Sequence, residues 1–193
     1  MGIEFELKYA ATPEVLSQLR QDFGQPENII SMQTTYFDTP SGSLSALRYT
    51  LRQRMENGIC VSTIKIPLEG NARGEWECVC DSLPDAIEQL CAMGAPNTLL
   101  TIAKEGFFPI CGAKFVRNCY AVATEDGSAE LALDEGILSG GGKEIPLFEI
   151  EVEHKNGQLQ ATTRLAHTLA EKYRLCPEPL SKFQRACRLA EGG

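Results

Sequence analysis

Ionised side chains recur at every second position along much of this chain. Glu4, Glu6 and Lys8 share one parity, and so do Arg52 and Arg54. Lys65 lies between Ile64 and Ile66, Arg73, Glu75 and Glu77 oppose Trp76, and Arg117 alternates with Val116. Glu130 and Asp134 alternate with Leu131 and Leu133, and Glu149, Glu151 and Glu153 with Phe148, Ile150 and Val152. A period of two puts such residues on one face of a strand. Carboxylates two apart on that face have Cα atoms roughly 6.5–7 Å apart and can converge on one hard cation. Mg²⁺ and Mn²⁺ prefer such oxygen donors. Arg forks and Lys point charges are the usual partners of phosphate oxygens. Carboxylates ringed by Arg and Lys therefore describe a metal–polyphosphate site. Phosphoryl transfer there needs positioning, charge neutralisation and an activated water. A wet sheet face alternates too, but it normally mixes Thr, Ser, Gln and Lys. This set is almost purely ionised, and burying unpaired ions costs several kcal/mol each, so it calls for water, metal or a polyanion.

Strands must carry these residues. The alternation predicts them at 3–9, 29–37, 45–54, 59–66, 74–80, 114–123, 128–134 and 145–153. Asn57-Gly58, Glu125-Asp126-Gly127 and Gly140-Gly141-Gly142 supply turns between consecutive strands. Helices are predicted after Thr12-Pro13-Glu14, where Thr caps and Gly24 stops, and over 82–93, 157–174 and 181–190. Segment 96–112 is apolar but aperiodic and receives no assignment. The apolar strand faces need cover and helices are available to give it. The expectation is a β-dominated α+β fold, a closed antiparallel eight-stranded barrel with a charged interior and helices packed outside.

At 193 residues, 43% hydrophobic and a formal charge of −8, the chain suits one domain over 1–193. The acidic balance argues against non-specific nucleic-acid binding, which needs a basic footprint. No run approaches the ~18 apolar residues of a membrane span. The N-terminus lacks the basic-then-apolar layout of a signal peptide, so a cytoplasmic location is expected, with the eight cysteines as thiols. Ser139–Lys143 (SGGGK) fails the phosphate-loop spacing, since 137 is Ile and 144 is Glu, and reads as a turn. Cys78-x-Cys80 shares the parity of Trp76 and has no second pair, so packed thiols are preferred to zinc. His154 and His167 belong to no motif.

Taken in order, these residues resemble the CYTH superfamily, the triphosphate tunnel metalloenzymes. Glu4-Phe5-Glu6-Leu7-Lys8 resembles the ExExK signature, Tyr36–Pro40 the YFDTP, Leu51–Arg54 the LRxR, Thr63–Pro67 the TxKxP and Arg73–Glu77 the RxExE. Arg117, Glu130–Asp134, the acidic strand Glu149–Glu153 and the terminal Ser181–Arg185 (SKxxR) follow in family order. The resemblance implies a closed tunnel acting on triphosphates with Mg²⁺ or Mn²⁺, and is nearest in pattern to inorganic triphosphatases. It implies that Arg52, Arg54, Lys65, Arg117, Lys182 and Arg185 bind the triphosphate, with Lys8 and Arg73 binding phosphate or pairing with carboxylates. Glu4, Glu6, Glu149 and Glu151 would ligate metal, with Glu77 and Asp134 as further ligands. Lys65 and Glu6 are the two expected to be required for turnover. The expected partner is a small-molecule triphosphate, with neither nucleic acid nor membrane, and a homodimer is left open. Class IV adenylyl cyclase, thiamine or nucleoside triphosphatase, and a non-catalytic polyphosphate or nucleotide sensor stand as alternatives.

Overall fold

The computed structural model describes residues 5–68 and 73–191. The strands are β1 (Glu6–Ala10), β2 (Asn28–Asp38), β3 (Thr50–Glu56), β4 (Ile59–Pro67), β5 (Arg73–Val79), β6 (Phe108–Ala123), β7 (Ser128–Gly140), β8 (Lys143–Asn156) and β9 (Cys176–Pro177). They form one nine-stranded antiparallel sheet in the order β5-β4-β3-β2-β6-β7-β8-β1-β9. The helices are α1 (Pro13–Phe23), α2 (Ser43–Ala46), α3 (Leu83–Ala92), α4 (Thr98–Ile102), α5 (Leu159–Tyr173) and α6 (Lys182–Glu191). No helix among the described residues is long and apolar enough to cross a membrane.

The closed eight-stranded barrel expected from the alternation does not form. β5 and β9 are the two edges of the sheet, and among the described residues they do not pair. The cause lies at β1. One side of β1 pairs with β8. The other is taken by β9, with Tyr9 opposite Pro177 and Ala10 opposite Cys176, and the Glu178 N–H donates to the Lys8 carbonyl. The outer edge of β1 is thus spent on a two-residue strand that ends in Pro, which has no N–H to offer a further strand. The sheet is nevertheless strongly curved, because side chains from β1 to β6 and from β8 line one cavity.

Local sequence explains most elements. The Thr12 hydroxyl accepts from the Val15 N–H at 3.3 Å and Gly24 ends α1 at φ 74°. The Ser82 hydroxyl accepts from the Asp85 N–H at 3.4 Å to cap α3. Asn57 and Gly58 both adopt positive φ, as a tight β3–β4 hairpin requires. The predicted strand over 45–54 is shortened: 43–46 is helix and the strand starts at Thr50. The unassigned 96–112 holds α4, a 3₁₀ turn and the start of β6.

Three apolar clusters hold the layers together. α1 and α5 bring Leu16, Leu19, Ala166 and Leu169 against Leu131, Leu133, Ile150 and Val152. α3 and α4 bring Ile87, Leu90 and Leu99 against Leu51 and Ile64, with Trp76 packed alongside. Both clusters use the strand parity opposite the charges, so these helices lie outside as expected. α6 does not. Its Phe183, Ala186 and Cys187 pack on Met32, Tyr36, Phe115 and Leu138. Met32, Tyr36, Phe115 and Phe183 also line the cavity, so α6 closes off part of the concave face. Gly140 permits this approach: a Cβ there would lie 2.2 Å from the Ala186 carbonyl oxygen.

Candidate functional site

The concave face encloses a cavity of about 470 Å³. The pleat delivers its lining, since alternate residues of each strand point to one face. Glu6, Lys8, Arg52, Arg54, Lys65 and Arg73 all reach it, as do Glu77, Arg117, Glu151 and Lys182. Asp134, Glu149 and Arg185 join through contacts behind the wall. Glu4 lies outside the described residues.

At one end three carboxylates meet. Asp134 stands opposite Glu149 in the β7–β8 register, and Glu151 is two residues further along the same face. Asp134 and Glu149 are 0% exposed and Glu151 is 7%. Each offers an oxygen within 4.8 Å of the others. Three cations compensate them. Arg117 makes a fork to Asp134, at 2.8 and 2.7 Å, and also donates to Glu151. The Lys182 ammonium bonds Asp134 at 2.8 Å, Glu151 at 2.7 Å, and Glu149. Arg185 bonds Glu149 and lies 3.5 Å from Glu178. The i, i+3 spacing of Lys182 and Arg185 places both on the α6 face that meets the cluster.

The electrostatics follow from this crowding. Burial pushes the Glu149 carboxyl up to about 7. Burial works against charge at Glu151 too, but Lys182 and Arg117 outweigh it and hold that carboxyl well below the usual range. Both cations, disfavoured by burial, are held above their ordinary values by the carboxylates. Glu6 is raised, first by burial and then by the Glu151 charge. An all-carboxylate donor set of this size fits a hard divalent cation, Mg²⁺ or Mn²⁺.

The far wall is cationic. Glu75 bridges Lys65 at 2.7 Å and Arg52 at 3.4 Å. Arg54 pairs with Glu56. Arg73 donates to the Arg48 carbonyl at 3.0 Å. Lys8 belongs to the carboxylate side: it stands opposite Glu151 in the β1–β8 register, 4.0 Å from Glu6 and 3.5 Å from the Leu180 carbonyl. The Nε–H groups of Arg52, Arg54 and Arg185 are buried without an acceptor. An unmet buried donor costs about 1–3 kcal/mol, which an anion's oxygens would offset.

Some contributors went unread in the sequence. Glu75, given no role in the sequence reading, sits between two of the predicted phosphate ligands, Arg52 and Lys65. Lys155 lines the cavity and pairs with Glu153 at 2.8 Å and Glu130 at 3.6 Å; it merely continues the parity of Glu149, Glu151 and Glu153. Phe115 is two residues from Arg117 on the same face, so parity could have found it as well. Asp38, inside the YFDTP match, points elsewhere. Its carboxylate accepts from the backbone of Thr39, Leu44 and Ser45 at 2.7, 2.9 and 3.0 Å, which makes it the cap of α2. Cys78 packs in the α3 cluster, and the His154 ring bonds the Thr162 hydroxyl at 2.9 Å.

Residues 2–186 match the CYTH domain. The chain belongs to the CYTH family. It is 27% identical over 179 residues to an inorganic triphosphatase of Haemophilus influenzae, covering 86% of this chain and 49% of that protein. The chain thus spans about half the length of that curated relative. Among solved structures, HpAC1 from Hippeastrum, described as having a dominant triphosphatase activity, superposes with a TM-score of 0.67 at 20% identity, covering 95% of each chain. A candidate adenylate cyclase from Bacillus halodurans gives 0.65 at 21%, covering 95% of this chain and 96% of that one. The PH1819 protein of Pyrococcus horikoshii gives 0.63 at 21%, covering 98% and 99%. These likenesses, at 20–21% identity, show a shared fold over nearly the whole chain.

Proposed function

We propose that this CYTH protein is a divalent-metal-dependent triphosphate hydrolase that cleaves inorganic triphosphate to pyrophosphate and phosphate. The observation that carries the reading is the division of one cavity into a cationic wall and a three-carboxylate end. Arg52, Arg54, Lys65 and Arg73 would clamp successive phosphate groups, and the unmet Arg Nε–H groups have donors left for their oxygens. Asp134, Glu149 and Glu151 would hold the cation, with Glu6 on the neighbouring strand and Glu77 lining the same cavity. A cation bound there neutralises phosphate charge and makes a bound water more acidic. Lys182 and Arg117 now satisfy the same carboxylates. With a cation present they would turn from carboxylate to phosphate oxygens and add to the clamp on the bound triphosphate. Hydrolysis adds water oxygen to the terminal phosphorus and releases the bridging oxygen with pyrophosphate.

The relatives support a triphosphate substrate. The test is phosphate release from inorganic triphosphate, ATP and thiamine triphosphate side by side, with Mg²⁺, with Mn²⁺ and with chelator. Glu6→Ala serves as the blank. Metal-dependent preference for inorganic triphosphate, lost in the variant, is the expected result. Turnover in chelator, or in Glu6→Ala at the wild-type rate, would contradict it.

A further inference from the structure

We propose that Phe115 is a positioning residue whose ring holds the Lys182 ammonium and the Arg117 guanidinium side by side on the cavity floor. Its effect on turnover rests on the triphosphate reading; the contact itself does not. Lys182 Nζ lies 5.2 Å from the ring centroid and Arg117 Cζ 5.8 Å, both within cation–π range. Phe115 is 5% exposed, so little water competes for that face. The β6–β7 register sets Phe115 opposite Gly136. A Cβ on Gly136 would lie 2.6 Å from the Phe115 Cβ and 2.1 Å from the Lys114 carbonyl oxygen, so only glycine allows this approach.

The ring answers a difficulty the carboxylates leave open. Lys182 and Arg117 are like charges held close together, and what draws them together is Asp134 and Glu151. Those same oxygens would ligate the cation, and a carboxylate engaged by metal has less to give a neighbouring ammonium. The face of a phenyl ring binds no hard metal. It keeps its attraction for both cations through the cycle, so they stay on the floor when they exchange carboxylate for phosphate. An aliphatic side chain of similar size would keep the packing on Met32 and Tyr36. It would not supply the negative ring face.

The contact can be read without any turnover. In protein carrying lysine labelled with ¹³C at the ε carbon, the Lys182 ε-methylene should be shifted upfield by the ring current, and Lys182→Arg assigns the signal. The shift should vanish in Phe115→Leu and persist in Phe115→Tyr. In kinetics, Phe115→Leu should raise KM for inorganic triphosphate about tenfold, with kcat changed by less than about twofold, and Phe115→Tyr should recover most of the loss. If Phe115→Leu loses its near-ultraviolet circular dichroism, Phe115→Met carries the same test. An unshifted Lys182 signal in folded wild type, or a wild-type KM in the folded Leu or Met variant, overturns the proposal. If wild type hydrolyses no triphosphate, the functional reading fails, while an upfield signal lost in Phe115→Leu still supports the positioning role.

Discussion

Glu149 and Glu151 stand two residues apart on one strand face, yet their protons behave oppositely. Burial raises Glu149 to about 7, whereas Lys182 and Arg117 keep Glu151 charged far into acid. A divalent cation needs both as carboxylates. Below about pH 7 a proton therefore competes with the cation at Glu149, and affinity should fall with falling pH by up to about tenfold per unit. Calorimetric titration with Mn²⁺ from about pH 8 to about pH 5.5 checks the sign. Affinity that is flat, or that rises toward acid, contradicts it. The parity of charges revealed which side chains face the cavity. It could not show that Lys182 would already occupy the carboxylates, because that contact joins strands to a helix some thirty residues away.

Among the elements, α2 and α6 depend most on single residues. The four-residue α2 has no cap of its own type; the Asp38 carboxylate supplies it from the end of β2. A cap six residues upstream leaves no local signature, which is why the sequence reads as strand there. Asp38→Ala strands two buried N–H donors and a part-buried third, and should cost about 3 kcal/mol, seen as a lower midpoint in denaturant unfolding. Loss below about 0.5 kcal/mol would mean that the cap is dispensable. α6 depends on the β7–β8 turn. With 2.2 Å between a Cβ at 140 and the Ala186 carbonyl oxygen, Gly140→Ala must push the helix outward. Overpacking of this kind costs about 1–3 kcal/mol, so the melting temperature should drop and KM should rise as Lys182 leaves the floor. An unchanged melting temperature and KM would show that α6 tolerates displacement. The turn itself was legible from its three glycines. Its reason, the docked helix, was not.

At the scale of the whole molecule, the alternation conveyed which face of the sheet is charged and which is covered, and motif order located nearly every charged residue that lines the cavity. Closure was not legible. It is decided by Cys176-Pro177, two residues with no periodicity that occupy the outer edge of β1 and leave β5 an edge. The placement of α6 escaped for a related reason: an amphipathic stripe shows that a helix is covered on one side, not which side of the sheet covers it. The consequence is a curved, open-edged sheet whose cavity is completed by a helix. The proposed hydrolysis would rest on cations from strands far apart in sequence acting together on one polyanion. The most direct test is ³¹P NMR of inorganic triphosphate with Mg²⁺, comparing wild type with Lys65→Ala of matched circular dichroism. Wild type should convert triphosphate to equal amounts of pyrophosphate and orthophosphate, and Lys65→Ala should leave it intact. A wild type that leaves triphosphate untouched, or a Lys65→Ala variant that cleaves it at the same rate, would mean that this cavity is not a triphosphate hydrolase site.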